Sequence, residues 1–167
     1  MQQDVTHLDE DTLEELECII ELLVDHYEQI APEVRRLKES LVIEGETLDI
    51  DHLGIRTFAH PIIELDLIAQ VFLSRGYRET GQYTFPKKHI RARSFSPPLA
   101  RLPRIFLSEL HREAVDNEQW EIIEGYVEQI DTEATGESIL GAARNWPPIQ
   151  FEEYETLQPA SQYAAWV

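Results

Sequence analysis

Through Leu48-Asp-Ile-Asp-His-Leu-Gly-Ile-Arg-Thr-Phe58 the chain alternates aliphatic residues with His52, Gly54, Arg56 and Phe58. In an extended segment this alternation puts the last four on one face. The Cα atoms of His52 and Arg56 are then about 13 Å apart, and an arginine side chain can lean back over roughly half of that span. An imidazole at one end can hold a metal ion. A guanidinium at the other suits a carboxylate, because its planar fork bonds bidentately and stays charged. The plainer reading of the same spacing is a half-buried histidine paired with Asp51 or a backbone carbonyl, and a solvated arginine. Spacing alone leaves both readings open.

Other titratable groups carry weaker signals. Arg91 and Arg93 share a strand face with His89; they either line a cup that attracts a dicarboxylate or form a solvated edge that discourages strand pairing. His60 precedes a proline, so it can point away from the strand before it. Cys18 stands alone among apolar helix positions. A single cysteine builds neither a disulfide framework nor a thiolate cage, and it reads as a small core residue.

Charge is uneven along the 167 residues. The formal net of −18 argues against nucleic acid and anionic membranes, since phosphates would be repelled over most of the surface. Residues 1–50 hold 3 basic and 15 acidic side chains, and residues 112–167 hold 2 and 12. Residues 51–111 reverse the balance with 9 basic and 5 acidic. That concentration either balances acidic helices or lines a pocket for a small anion. No apolar stretch approaches the roughly 20 residues of a membrane span. The acidic N-terminus does not resemble a signal peptide, which implies a cytoplasmic location.

The elements that must position these residues fall into three parts. In 1–46, Asp11 and Glu14 have the form of a capping box, and Leu13, Leu16, Ile20, Leu23 and Tyr27 recur at helical spacing up to Pro32. This predicts an acidic helical cover. In 47–111 the pattern predicts strand, helix, strand, strand, strand: 48–58, then a stripe of Leu65, Ile68, Val71 and Phe72 closed by Gly76, then 77–85, 89–95 and 103–110. In 112–167, Asp116 with Gln119 opens a helix lined by Trp120, Ile123, Tyr126, Val127 and Ile130. Trp146 to Tyr154 reads as extended, and a short helical stretch follows Pro159. Trp120 and Trp146 read as core. The fold class is α+β, with a βαβββ module between helical flanks. The apolar end, Ala-Ala-Trp-Val, suggests a chain leading into a further module.

Asp51-His-Leu-Gly-Ile-Arg-Thr-Phe58, Gly76-Tyr77, Gly81-Gln-Tyr-Thr-Phe-Pro86 and Leu102-Pro-Arg-Ile-Phe-Leu-Ser-Glu-Leu110, in this order, resemble the N-terminal part of the 2-oxoadipate dioxygenase/decarboxylase family, formerly a domain of unknown function. The resemblance spans about residues 10–167. It implies a vicinal-oxygen-chelate-like fold in which βαβββ modules pair into a cup around non-haem Fe(II) held by two histidines and one carboxylate. It also implies conversion of 2-oxoadipate and O2 to 2-hydroxyglutarate, a step of lysine catabolism. On this resemblance His52 is the first iron ligand and contacts substrate, as does Arg56.

The family's second histidine and its carboxylate belong to a second module beyond this chain. His89 and His111 occur where the family places no ligand. Glu109 lies on the last strand of the unit, where vicinal-oxygen-chelate modules often carry a carboxylate ligand; the alternatives are a hydrogen-bonded cup residue or a strand-end charge. The chain alone is therefore expected to be inactive, completed by a missing C-terminal module or by a homodimer in which two copies of His52 and Glu109 meet. The other readings are a small-anion-binding or interaction module that has lost the metal, and an inactive truncated homologue.

Overall fold

A computed structural model describes residues 8–130, 140 and 148–166. The first helix, α1 (Glu10–Ile30), starts from Asp9, whose Oδ1 accepts the Thr12 backbone N–H at 2.8 Å. The Asp11/Glu14 box expected from the sequence is thus superseded by a cap two residues earlier. Pro32 has no N–H to continue the ladder, so α1 stops and α2 (Pro32–Ile43) restarts with that proline in its first turn. α1 buries Leu16, Ile19 and Ile20. Cys18 sits on its exposed side, which corrects its reading as a core residue.

The sheet follows: β1 (His52–Phe58), β2 (Arg78–Phe85), β3 (Ile90–Ser96) and β4 (Arg104–Leu110). Between β1 and β2 runs α3 (Leu65–Leu73), so the order βαβββ is as the sequence predicts, although β1 begins at His52 rather than Leu48. Gly76 closes the α3 exit with φ 85°, a conformation that a Cβ would strain. Strand order is β1-β4-β3-β2, with β1 parallel to β4 and the remaining pairs antiparallel. Placing β1 beside β4 requires the chain to cross from one edge of the sheet to the other, and α3 makes that crossing.

The two faces of the sheet have different fates. Leu53 and Ile55 of β1, Ile105 and Leu107 of β4 and Phe95 of β3 pack with α1 and α3 into the main core. Leu65 and Phe72 of α3 are fully buried there, and burial of such side chains contributes about 1.5–3 kcal/mol each. Among the described residues the other face is left open over most of its length. Only at the Phe58–Leu110 end is it closed, by α4 (Asn117–Val127) and α5 (Phe151–Leu157), whose Trp120, Ile123, Val127 and Leu157 form a second core. The Phe58 and Trp120 rings meet edge to face at 6.4 Å.

α4 opens with the capping box between Asp116 and Gln119 that the sequence indicates. The segment read as extended, by contrast, turns helical from Phe151, where it opens α5. Gln150 and Glu153 form a capping box of their own, and the Tyr126 hydroxyl donates to Glu153 Oε2 at 2.6 Å. Tertiary contact with α4 decides that helix, since seven residues are too few to be stable alone. Trp146 lies outside the described residues.

Candidate functional site

β1 carries His52, Gly54 and Arg56 on the open face, because Leu53, Ile55 and Thr57 are taken by the covered one. The register sets Arg104, Phe106 and Ser108 of β4 beside them. His52 is well exposed, its side chain 65% accessible, and its Nδ1 lies 3.1 Å from Asp51 Oδ2. A carboxylate on one ring nitrogen fixes the imidazole's orientation and leaves Nε2 to face outward as a donor or ligand. Gly54 contributes no side chain, and a Cβ there would meet nothing within 4 Å. The floor between His52 and Arg56 is therefore bare.

Two clefts open on this face. One, about 660 Å³, is lined by His52, Gly54, Tyr83, Ser94, Arg104 and Phe106. Tyr83 and Phe106 form its aromatic wall, with ring centroids 5.8 Å apart. The other, about 840 Å³, lies at the far end and is lined by Arg56, Lys87, Lys88, His89 and Tyr163, among others. His52 and Arg56 thus share a face as alternation requires, but the guanidinium does not lean back towards the imidazole. It lies over the Tyr163 ring, 5.4 Å from the centroid.

Tyr163 escaped the sequence reading. Its hydroxyl donates to the Ser108 carbonyl at 2.7 Å, with the Thr57 carbonyl at 3.2 Å, and accepts the Thr57 N–H at 3.2 Å. Ser108 Oγ is 3.0 Å away. The phenol therefore pins the β1–β4 seam directly behind Arg56. Burial pushes its ionisation up to about 12, against partial relief from its hydrogen bonds with Ser108 and Thr57. The contact joins residues 106 apart in sequence, and no local spacing announces it.

A family profile of 2-oxoadipate dioxygenase/decarboxylases matches residues 13–145. The chain belongs to that family. The chloroplastic 2-oxoadipate dioxygenase/decarboxylase of Arabidopsis thaliana is 31% identical over 137 residues, covering 74% of this chain and 37% of the plant protein. The chain therefore spans a little over a third of this curated relative. The rice hydroxyglutarate synthase solved with 2-oxoadipate superposes with a TM-score of 0.84 over 99% of this chain and 57% of that one, at 24% identity. A Ralstonia eutropha protein named for the glyoxalase superfamily superposes with a TM-score of 0.61 at 19% identity, covering 91% of this chain and 58% of that one. These likenesses establish the vicinal-oxygen-chelate-like fold expected from the family motifs. Among the described residues no helix is long and apolar enough to cross a membrane.

Within this family framework the remaining candidates fall elsewhere. Glu109 pairs in register with Thr57 and Arg91, on the face covered by α1 and α3. It is 1% exposed, accepts the Leu65 N–H at the start of α3 at 2.7 Å, and takes Arg91 Nε at 2.6 Å. It stands on the opposite side of the sheet from His52, so the two cannot hold one ion within a chain, and its burial under Leu65 and Arg91 keeps it from an ion shared with a second copy. That corrects its reading as a candidate ligand. Its role is to satisfy a helix start and an arginine at once. A signal was available, since Ile105, Leu107 and Glu109 alternate together as one face.

Arg91 and Arg93 belong to the same covered face. Arg91 also meets Asp66 at 3.0 Å, Arg93 meets Asp66 at 2.6 Å, and Arg93 pairs with Glu79. Neither the cup nor the solvated-edge reading survives; they tie α3 to the sheet. The hydrogen bond from Gln82, followed by the Arg93 pairing, holds the Glu79 carboxyl below its usual range despite desolvation. His60 accepts a turn hydrogen bond from the Ile62 N–H at 3.3 Å, and His111 Nε2 lies 3.9 Å from Glu109. Among the described residues no group of three or more His, Cys, Asp and Glu gathers as a metal cage.

Proposed function

We propose that this chain builds the first part of a ferrous-iron 2-oxo acid dioxygenase/decarboxylase site, with His52 as one metal ligand and Arg56 as the carboxylate contact. The observation that supports this reading is placement. Both side chains stand on the sheet face that α1 and α3 leave open, on either side of the bare Gly54 floor. His52 fits a metal as a single nitrogen donor, its ring already oriented by Asp51. The other ligands would come from a further module or another chain, in keeping with a match to little more than a third of the plant relative. Ferrous iron, when bound, would supply the electrons for O2 chemistry and open positions for a chelating 2-oxo acid.

What the chain's own residues do is orient and neutralise. Arg56 is held against Tyr163, so its guanidinium fork meets a carboxylate without first having to be ordered. The rice relative's structure contains 2-oxoadipate, as its name states, which supports a 2-oxo dicarboxylic acid as the ligand here.

Anaerobic titration of the chain with Fe(II) tests the assignment. Micromolar binding that disappears in His52→Ala is the expected result; equal affinity in that variant removes His52 from the site. Oxygen uptake with 2-oxoadipate is expected to be negligible for this chain alone and to appear once the missing ligands are supplied. A small-anion-binding module is the competing reading, favoured by the lack of any group of three or more His, Cys, Asp and Glu among the described residues that could hold a metal. It would bind its anion equally well with and without iron.

A further inference from the structure

Gly81 sits inside β2, where a glycine weakens the strand and often marks a close approach of other groups. Its backbone does not explain it. The positive-φ glycines among the described residues are Gly45 and Gly76, so Gly81 holds a conformation that alanine also adopts. A register shift falls between Glu79 and Gly81, but the left-handed conformation that makes a bulge require glycine is absent there. Space does explain it. A Cβ on Gly81 would lie 2.7 Å from the Tyr83 hydroxyl oxygen, 3.0 Å from Cζ of the same ring and 3.1 Å from Ser94 Oγ. Tyr83 therefore folds back along β2 over the bare glycine, with the Phe106 ring beside its own at 5.8 Å.

Three hydroxyls meet at this point, and one carbonyl sets the direction of their protons. Thr80 Oγ1 donates to the Ser94 backbone carbonyl at 3.1 Å. A hydroxyl has a single proton, so the 3.0 Å contact between Thr80 Oγ1 and Ser94 Oγ is made by the serine proton. Tyr83 is then the donor in its contact with Ser94 Oγ. At 3.4 Å that contact is far longer than the roughly 2.7–2.8 Å typical of hydroxyl pairs. Of the three protons, the phenolic one is left with the poor acceptor. Thr80, Tyr83 and Ser94 all line the cleft that His52 lines. Gly54, Phe106 and Ser94 are neighbours in register across β1, β4 and β3, so this group lies two strand spacings, about 10 Å, from the floor beside His52.

We propose that Tyr83 is a ligand-contacting residue of the His52 cleft, its hydroxyl donating to a ligand oxygen remote from His52, and that Gly81 is the residue that positions it. The inference rests on the reading of His52 as the anchor of a 2-oxo acid, and adds a donor on the far wall. Turning the phenolic proton from Ser94 to a ligand oxygen exchanges a long hydrogen bond for a full one. Recruiting Ser94 or Thr80 instead would break a bond of 3.0 or 3.1 Å. The Phe106 ring on one side and the missing Cβ on the other hold the phenol in place, so the donor is oriented before a ligand arrives.

The test loads the chain anaerobically with Fe(II) and measures calorimetrically the binding of 2-oxoadipate and of pyruvate, a 2-oxo acid too short to reach from His52 to Tyr83. Tyr83→Phe keeps the ring and is expected to weaken 2-oxoadipate by about fivefold or more, leaving pyruvate unchanged. Gly81→Ala should weaken 2-oxoadipate to a similar extent. The double variant should bind it no more weakly than Tyr83→Phe alone, because the alanine acts by displacing the hydroxyl. A further loss from Gly81→Ala in the Tyr83→Phe background overturns the positioning role. Unchanged 2-oxoadipate binding in Tyr83→Phe, or equal loss for both acids, overturns the contact. His52→Ala separates this failure from failure of the underlying reading. If His52→Ala abolishes binding of both acids while Tyr83→Phe changes neither, the anchor stands and this inference falls. If the wild type binds neither acid, or His52→Ala binds both as tightly, the two fall together.

Discussion

The Arg56 guanidinium rests 5.4 Å above the Tyr163 ring, and the hydroxyl of that same tyrosine joins Thr57 of β1 to Ser108 of β4. One side chain therefore both closes the parallel seam and aims the arginine. The two functions can be separated by mutation.

Tyr163→Phe keeps the ring and removes the hydroxyl. Backbone groups at the seam lose their partner, and a cost of about 1–3 kcal/mol is expected in urea denaturation. Because the ring still faces Arg56, glutarate affinity should change little. Tyr163→Ala removes both, and should lower glutarate affinity as well as stability. An alanine variant with native affinity would show that the arginine needs no support.

Alkaline pH tests the buried phenols. Burial raises Tyr163 to about 12 and raises Tyr77 as well, against an ordinary value near 10. A raised folded-state value means that the stabilisation is complete below about pH 10 and is lost as pH rises towards the folded value. Each such tyrosine should steepen the loss by up to about 1.4 kcal/mol per pH unit. Urea midpoints between pH 10 and 12 should fall less steeply in Tyr163→Phe than in wild type. Identical slopes would mean that this hydroxyl titrates alike in both states.

Arg91→Ala leaves Glu109 buried without its ion partner, and a loss of about 3–5 kcal/mol is expected. Glu109→Gln is the gentler companion, since its amide oxygen can still accept the Leu65 N–H. Iron affinity should survive Glu109→Gln. Loss of iron at an unchanged urea midpoint would return Glu109 to the metal site.

His52 is exposed, so His52→Ala should leave the melting transition within the change expected of about 0.5 kcal/mol for a surface substitution, while iron binding disappears. Asp51→Asn should weaken iron about tenfold by loosening the ring's orientation. A large stability loss in either variant would point to a structural role instead.

The sequence by itself determined the order of elements and the shared face of His52, Gly54 and Arg56. Helical and strand periodicity act over a few residues, and the apolar stripe at Leu65, Ile68, Val71 and Phe72 leaves little choice of element. The same parity, followed along Ile105, Leu107 and Glu109, would have put Glu109 with the core. Only the tertiary structure decided which face α1 and α3 would cover, and with it that Arg91 and Arg93 tie α3 to the sheet while Arg56 stands on the opposite face over Tyr163. It also brought Tyr163 to Thr57, 106 positions away, and made a helix of Phe151–Leu157 through contact with α4. The physical reason is range: side-chain alternation is a property of neighbours along the chain. Covering a face, closing a seam and stabilising a two-turn helix depend on which distant surfaces meet.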